Sequence, residues 1–453
     1  MLNMGRPNIL VIPFPAQGHV MPLMELSHIL VDRGFKITFL NTEFNHDRVV
    51  AAARLDKNDE GFIRMMSIPD GLDVGEDRTN LGKLSDMMKD VMPVYLKDLI
   101  TKLNASKNVD DRITCVLADV SMGWTLEVAS KMNIRRAGFF PAAGGLLAMT
   151  LHVPKLIEAG IIRPDGTLNK SQMIKLSPTI PAFNADNFVW LCMGESAIKP
   201  IFNLIVRNNE AVNLAEYFIC NSFYELEPSI FKMIPNLKPI GPLLASSRLA
   251  NFWSEDSTCL SWLDEQPARS VIYVAFGSFT VFNKQQFDEL AIGLELSGKP
   301  FLWVVRPDLT EGPNDVYPDG FEKRVAGRGR MVGWAPQREV LAHPSIACFV
   351  THCGWNSTME GVSTGVPLLT WPYFADQFLN QSYICDIWKV GLRLKDDDNG
   401  IISRDEIKKK VDGLLEDKGI KARVLKLKEI AINNVSKSGA SFKNFEDFVN
   451  GIK

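Results

Sequence analysis

Short apolar runs and segments of helical periodicity alternate along roughly the first 140 residues. Apolar runs bounded by turn residues predict buried strands, and longer segments with an apolar position every three or four residues predict amphipathic helices. The predicted strands cover residues 8–14, 35–41, 62–68 and 114–120, and the predicted helices lie near 20–33, near 82–103 and from about 122. This alternation predicts a parallel sheet with helices on both faces.

The pattern loosens after about residue 140. Pro and Gly become frequent through LIEAGIIRPDGTLN and SPTIPAFN, and regular order returns at AEYFICNSF. A long irregular stretch of this kind is typical of a binding-pocket wall, so we expect residues 140–215 to contribute one.

A second alternating series begins at Ser270, with strands predicted at 270–278, 301–306, 329–334, 346–352 and 367–372 and helices near 283–297, from 356 and from 374. Proline and small residues precede it and predict an interdomain linker at 241–255. The domains are then residues 1–240 and 256–453. We expect an α/β protein with two Rossmann-like, doubly wound domains facing a central cleft, where ligands bind at the carboxyl ends of the strands.

Composition restricts the partners and the compartment. The 453 residues exceed what one core supports, which agrees with two domains. Lys and Arg number 50 against 53 Asp and Glu, without a long basic run, so nucleic acid is not an expected partner. Seven scattered cysteines without a CxxC pair favour a reducing compartment, and the short first apolar run predicts no membrane insertion. We therefore expect a cytoplasmic protein.

The strand CFVTH leads directly into CGWNSTMEG, which predicts a turn followed by a helix. The free backbone N–H groups and positive dipole of a helix N-terminus suit a diphosphate. His352, Asn356 and Ser357 can add donors there, although Asn356 or Ser357 can equally serve as a helix cap.

Other polar and aromatic residues surround this junction. Trp334 can stack on a base or belong to the core. Glu360 can accept from two ribose hydroxyls or be a solvated helical residue. Asp376 and Gln377 begin the next predicted helix, where they can bind sugar hydroxyls or cap it.

His19 and Asp119 are the candidate base and its partner. Each follows or ends a predicted strand, so both side chains can emerge from the same sheet edge, where the carboxylate would orient the imidazole. A packed or capping histidine is the alternative. No metal site is expected, because the acidic run 396–398 has Lys395 where an EF-hand-like loop needs its first ligand.

Residues 334–377 closely resemble the signature box of plant secondary-product glycosyltransferases of family 1. They read WAPQREVLAHPSIACFVTHCGWNSTMEGVSTGVPLLTWPYFADQ, and FPAQGHVMPLMELSHIL, ICNSFYELEP and VAFGSFT extend the resemblance nearly end to end. The resemblance implies the GT-B fold, with the last helix packing back on the N-terminal domain. It also implies catalysis by His19 with Asp119.

The same resemblance implies a donor site for UDP-glucose, which is a co-substrate, without any cofactor. Uracil stacks on Trp334, with Ala335 and Gln337 nearby, and Glu360 holds the ribose. The remaining donor residues hold the diphosphate and the hexose: Ser278, His352, Asn356 and Ser357 for the former, Trp355, Asp376 and Gln377 for the latter. Gln377 implies glucose rather than galactose. Pro141 stands where many relatives carry a Thr that touches the sugar, so that contact is expected to be absent or replaced.

The expected reaction is inverting O-glucosylation of a small, largely apolar acceptor, phenolic, indolic or terpenoid. The alternatives are C-glucosylation on the same fold, another UDP-sugar, or a binding protein without a base. A UDP-sugar epimerase or dehydrogenase would need a dinucleotide loop, and no GxGxxG follows the first strand. The acceptor pocket is expected to use apolar residues that can equally belong to the core, namely Phe14, Met122, Phe139, Phe140 and Met193.

Overall fold

The computed structural model describes residues 5–52, 62–78, 80–243, 255–310 and 317–453. The chain divides into two units, one made of Met1–Phe252 with Asn434–Lys453 and the other of Trp253–Asn433. Most of the predicted linker at 241–255 lies outside the described residues.

The predicted apolar runs of the first unit are strands whose ends differ from the expectation by one or two residues. These four strands are β1 (Asn8–Ile12), β2 (Lys36–Thr42), β3 (Ile63–Ile68) and β4 (Ile113–Asp119). The described part of the unit also contains β5 (Arg135–Phe140), β6 (Met173–Ile174), β7 (Phe183–Asn184), β8 (Tyr217–Cys220) and β9 (Leu237–Pro239). A parallel sheet has the order β3-β2-β1-β4-β5-β8-β9, whereas β6 and β7 form a separate antiparallel pair.

Helices connect these strands, as parallel pairing requires. They are α1 (Gln17–Asp32), α2 (Glu43–Ala52), α3 (Leu81–Asp90), α4 (Met92–Asn104), α5 (Trp124–Lys131), α6 (Gly144–Leu151), α7 (Val153–Glu158), α8 (Glu195–Ala211) and α9 (Pro228–Met233). Successive side chains of β1 are buried on opposite faces of the sheet. Ile9 and Val11 join one apolar cluster with residues of α1, and Leu10 and Ile12 join another with residues of α3 to α5.

The second unit repeats this arrangement with a sheet of order β12-β11-β10-β13-β14-β15, in which every pairing is parallel. Its strands are β10 (Val271–Ala275), β11 (Phe301–Val304), β12 (Gly329–Val332), β13 (Ile346–Thr351), β14 (Leu368–Thr370) and β15 (Gly391–Arg393). The remaining helices are α10 (Thr258–Asp264), α11 (Lys284–Leu296), α12 (Phe321–Val325), α13 (Gln337–Ala342), α14 (Trp355–Thr364), α15 (Gln377–Ser382), α16 (Arg404–Glu416), α17 (Lys418–Val435) and α18 (Ala440–Ile452).

The final helix, α18, supplies core to the first unit. Phe445, Phe448, Val449 and Ile452 are almost fully buried in the cluster that also contains Ile9 of β1. Their spacing of three or four residues forms one apolar face of the helix.

Two expectations for the first unit were wrong. The helix expected near 82–103 is two helices, α3 and α4, separated at Val91, because Pro93 in the first turn of α4 lacks the N–H that a continuous helix needs. The stretch expected to be irregular contains α6, α7 and the 17-residue α8. One face of α8 is buried through Ala197, Ile201 and Leu204, a helical spacing that Pro200 obscures in the sequence.

A buried carboxylate closes the N-terminus of α6. Ala143 at the N-cap position makes no side-chain cap bond. Instead, Glu227 accepts hydrogen bonds from the backbone N–H groups of Gly144 at 3.0 Å and Gly145 at 2.9 Å, and from the Ser222 hydroxyl at 2.9 Å. A negative charge at a helix N-terminus is favourable, so Glu227 joins α6 to the segment that follows β8.

We expect Glu227→Gln to lower the free energy of unfolding by about 2 kcal/mol, because a neutral amide oxygen replaces a buried carboxylate that accepts three hydrogen bonds. Chemical denaturation of both proteins measures the difference. Glu225→Gln is the matched control, since Glu225 is exposed and its bond from Asn434 can be kept by an amide oxygen. Equal losses in the two variants would contradict the role given to Glu227.

Candidate active site

His19 and Asp119 form a hydrogen-bonded pair in the first unit. The distance from His19 Nδ1 to Asp119 Oδ2 is 2.6 Å, and the other carboxylate oxygen accepts from the Ser121 backbone N–H at 2.7 Å. The Asp119 side chain is fully buried, whereas 30% of the His19 side chain is exposed. Since a carboxylate only accepts, Nδ1 carries the proton and Nε2 of the neutral ring has the lone pair. The pair therefore has the geometry of a carboxylate-oriented general base.

Strand order explains why residues 100 positions apart meet. β1 pairs directly with β4, and helical connections leave β1 and β4 in opposite directions along the sheet. His19 lies in the first turn of α1, the helix that follows β1, and Asp119 is the last residue of β4. They therefore occupy the topological switch point, where doubly wound sheets bind ligands.

The equivalent point of the second sheet lies between β10 and β13. Ser278 follows β10 and is half-buried, and His352 directly follows β13. Glycines allow these segments to approach one another, because a Cβ atom on Gly277 would lie 2.6 Å from His352 Nε2, and one on Gly354 would lie 2.5 Å from it. Gly277 also has a φ of +64°, which favours glycine.

Burial lowers the pKa of His352 to about 4, and Arg306 adds to the lowering. The imidazole is therefore neutral at neutral pH, where it can donate one hydrogen bond without adding a charge.

Helix α14 presents its N-terminus next to His352. The N-cap residue is Gly354, which makes no side-chain cap bond, and the first turn carries no acidic side chain. Asn356 and Ser357 lie two and three residues beyond the cap, so neither is the N-cap that one interpretation of the sequence made it. This helix end, with its positive dipole, suits an anionic group such as a diphosphate.

Gln337 connects two other predicted donor residues, Ser357 and Glu360, to Tyr273, which the sequence analysis missed. Its Nε2 donates to Ser357 Oγ at 2.8 Å and to Glu360 Oε2 at 2.6 Å. Its Oε1 accepts from the Tyr273 hydroxyl at 3.1 Å. Burial raises the pKa of the half-buried Glu360, and the Gln337 N–H opposes that rise. Glu360 is thus held by an amide and is not a solvated helical residue.

Asp376 and Gln377 stand at the start of α15, as expected, and their side chains are fixed by neighbours. Gln377 is buried, and its Oε1 accepts from the backbone N–H groups of Tyr373 at 2.8 Å and Phe374 at 3.2 Å. Asn380 donates to Asp376 Oδ2 at 3.0 Å and to the Cys353 carbonyl at 2.9 Å. Asn380 was also missed, although its position four residues after Asp376 indicates a shared helix face.

Three apolar donor candidates differ in the exposure of their side chains. Trp334 is half-buried and lies two residues beyond the end of β12, whereas Ala335 is 3% and Trp355 is 4% exposed. The Trp355 ring lies 6.3 Å from that of Trp388. Two residues with positive φ, Cys353 at 67° and Ala375 at 51°, directly precede segments of the donor set. Such strain is common at binding sites.

The apolar acceptor candidates do not form one group. Phe14 is half-buried with its ring 5.1 Å from the His19 ring, and Met193 is also half-buried. Phe139 and Met122 are 0% and 1% exposed and pack in two different core clusters, which favours the core alternative for them. Phe140 packs in a third cluster, and Pro141, which follows it, is buried.

No group of three or more His, Cys, Asp or Glu side chains in the described part of the chain has the arrangement of a metal site. Among the described helices, none has both the length and the apolar composition that a membrane span requires.

The family model described as UDP-glucoronosyl and UDP-glucosyl transferase matches residues 7–435. UDP-glycosyltransferase 83A1 of Arabidopsis thaliana is 45% identical over an alignment that covers 100% of this chain and 98% of that protein. The expected resemblance to plant family 1 enzymes is therefore confirmed.

Solved structures agree with this result. A UDP-glucosyltransferase from Polygonum tinctorium, capable of glucosylating indoxyl and solved with 3,4-dichloroaniline, has a TM-score of 0.82 and 30% identity, with 99% of each chain covered. UGT71G1 of Medicago truncatula, complexed with UDP-glucose, has a TM-score of 0.81 and 25% identity over 100% of both chains. The expected fold class, two Rossmann-like domains of the GT-B type, is confirmed.

The lowered pKa of His352 predicts a pH dependence of stability. The unfolded histidine takes up a proton near pH 6.5 and the folded one only near pH 4, so this stabilisation is complete above about pH 6.5 and is lost as the pH falls towards 4. We expect His352→Gln to show a smaller loss of unfolding free energy between pH 7 and pH 5 than the wild type, measured by urea denaturation. His343→Gln controls for the loss of an imidazole from the same unit. An unchanged loss in His352→Gln would contradict the assignment.

Proposed function

Because the chain belongs to the UDP-glucoronosyl and UDP-glucosyl transferase family, we propose that it is an inverting, UDP-glucose-dependent O-glucosyltransferase with a small, largely apolar acceptor. The observation that carries this proposal is the 2.6 Å contact between His19 and the buried Asp119. A base with a defined tautomer is what activation of an acceptor hydroxyl needs. We also propose the cytoplasm as its compartment.

In the proposed reaction, His19 Nε2 removes the proton of the acceptor hydroxyl while Asp119 stabilises the imidazolium. The acceptor oxygen attacks the anomeric carbon from the side opposite UDP, and the bond from that carbon to the β-phosphate oxygen breaks. The configuration is thereby inverted. The charge that develops on UDP is met by the N-terminus of α14 and its side-chain donors, so the proposed scheme uses neither a metal nor a cofactor.

The donor assignments follow the positions of the side chains in the second unit. Trp334 and Ala335 would contact uracil, and Glu360 the ribose. His352, Ser278, Asn356 and Ser357 would bind the diphosphate, with Trp355, Asp376 and Gln377 around the hexose. The Gln377 amide supports this role, because its oxygen is already held by two backbone N–H groups and its Nε2 is thereby oriented as a donor.

The acceptor is proposed to be phenolic, indolic or terpenoid. One structural neighbour glucosylates indoxyl, and Phe14 places an apolar ring beside His19.

We expect His19→Ala to lower kcat for an aliphatic alcohol by at least about 100-fold, because the general base is lost. An acidic phenol should lose less, since it already supplies some phenolate at pH 8. Asp119→Asn should have a smaller effect than His19→Ala, because the imidazole remains. Steady-state rates with both acceptors, together with UDP affinity by calorimetry, measure these effects.

His152→Ala is the matched control for the base. His152 lies in the same unit and bonds the Ala148 carbonyl through Nδ1 at 2.7 Å. The His152→Ala variant should keep a near-normal kcat. A large loss in His152→Ala with little loss in His19→Ala would move the base to His152, and equal losses for both acceptors in His19→Ala would indicate damage other than loss of the base.

We expect kcat/KM to be about tenfold higher with UDP-glucose than with UDP-galactose, because the fixed Gln377 amide distinguishes the epimers by hydrogen bonding. Competing donors with mass detection of the products measure the ratio. Gln377→His should reduce it. Equal or faster transfer from UDP-galactose by the wild type would disprove the assigned donor, and an acid-resistant product would indicate C-glucosylation.

A further inference from the structure

The orientation of the Gln337 amide is determined by the carboxylate beside it. Glu360 Oε2 accepts a hydrogen bond from Gln337 Nε2 at 2.6 Å, so the nitrogen side of the amide faces Glu360. The second N–H of the same nitrogen donates to Ser357 Oγ at 2.8 Å. Both N–H groups of Gln337 are therefore committed within the protein. The amide oxygen consequently points away from Glu360.

Tyr273 holds that amide oxygen. Its hydroxyl donates to Gln337 Oε1 at 3.1 Å, and burial raises the pKa of the phenol well above its usual value, so it remains a donor. A fully buried tyrosine hydroxyl needs such a partner. Loss of this bond would leave a half-buried amide free to rotate away from Glu360.

The sheet register fixes where the Tyr273 hydroxyl lies. Tyr273 is in the middle of β10 and is paired with Phe349 of β13, and their rings stack with centroids 4.9 Å apart. The side chain has 1% of its surface exposed, so it has no room to take another position. The register of β10 therefore fixes the position of the Tyr273 hydroxyl and its hydrogen bond to Gln337.

We propose that Tyr273 is a positioning residue for ribose recognition, acting through Gln337 to hold one oxygen of Glu360 and leave the other for the hydroxyls of the donor ribose. Within the described part of the chain, Glu360 Oε1 has no hydrogen bond, whereas Oε2 has the Gln337 bond. Gln337 then orients Glu360 and Ser357. This inference rests on the proposed function, because it requires a uridine nucleotide at this site.

The test is calorimetric binding of UDP and of 2′-deoxy-UDP to the wild type and to Tyr273→Phe. Phe keeps the ring that stacks on Phe349 and removes only the hydroxyl. We expect the wild type to prefer UDP by roughly tenfold, because a site built to bind a hydroxyl discriminates against its absence. In Tyr273→Phe, UDP should bind roughly tenfold more weakly and 2′-deoxy-UDP nearly as before, so that the preference disappears. At saturating donor, kcat should stay within about twofold.

Tyr317→Phe is the matched control, because it removes a tyrosine hydroxyl from the same unit, within the cluster of Phe287, Trp303 and Phe321. It should keep the preference for UDP. A second test places Tyr273→Phe in a Glu360→Gln background, where it should weaken UDP binding by less than about twofold if both residues act on the same hydroxyls.

The outcomes separate the two proposals. Failure of the wild type to bind UDP would overturn the proposed function and this inference with it. Preference for UDP in the wild type that persists in Tyr273→Phe would overturn only the role of Tyr273. Equal weakening of both nucleotides, or additive losses in the double variant, would show a general loss of packing and would also overturn that role.

Discussion

The pairing of two neighbouring parallel strands within each sheet is the constraint on which the rest of this structure depends. β1 lies beside β4 in the first sheet, and β10 lies beside β13 in the second. In parallel strands all carboxyl ends lie at one edge, and at these two pairs the connecting helices diverge and leave an opening. His19 and Asp119 follow or end the first pair of strands, and Ser278 and His352 follow the second. Residues far apart in sequence become neighbours because backbone pairing brings them together.

Buried polar groups in the two units are compensated in three different ways. Asp119 and Glu227 accept hydrogen bonds from backbone N–H groups. His352 loses its charge, since burial lowers its pKa. Glu360 is held by an amide that is itself held by a buried phenol. The hydrogen bonds to the three carboxylates avoid the cost of unpaired buried groups and also fix those side chains in one orientation.

Much of this arrangement was predictable because it follows from periodicity and strand order. The strand and helix alternation indicated both sheets, and the ends of β1 and β4 indicated that His19 and Asp119 would meet. Pro93 indicated the break between α3 and α4 at Val91, but the continuous apolar pattern favoured a single helix. No sequence pattern indicated a role for Tyr273 at the site, because a tyrosine in an apolar strand is ordinarily a core residue. Its bond to Gln337 depends on sheet register and on the packing of α13 and α14, which local sequence does not encode.

The return of the chain to the first unit determines how this protein can be recombined with a relative. The donor candidates lie in Trp253–Asn433. This segment is an internal insertion in the first unit, which also includes Asn434–Lys453. A chimera made with one crossover near residue 250 would give the first unit a foreign α18 in place of the one that contributes Phe445 and Phe448 to its core. Two crossovers, one on each side of the internal segment, would exchange donor chemistry and leave that core native. Exchange with a relative therefore requires replacement of the whole internal segment, because a simple swap of N-terminal and C-terminal parts also replaces α18.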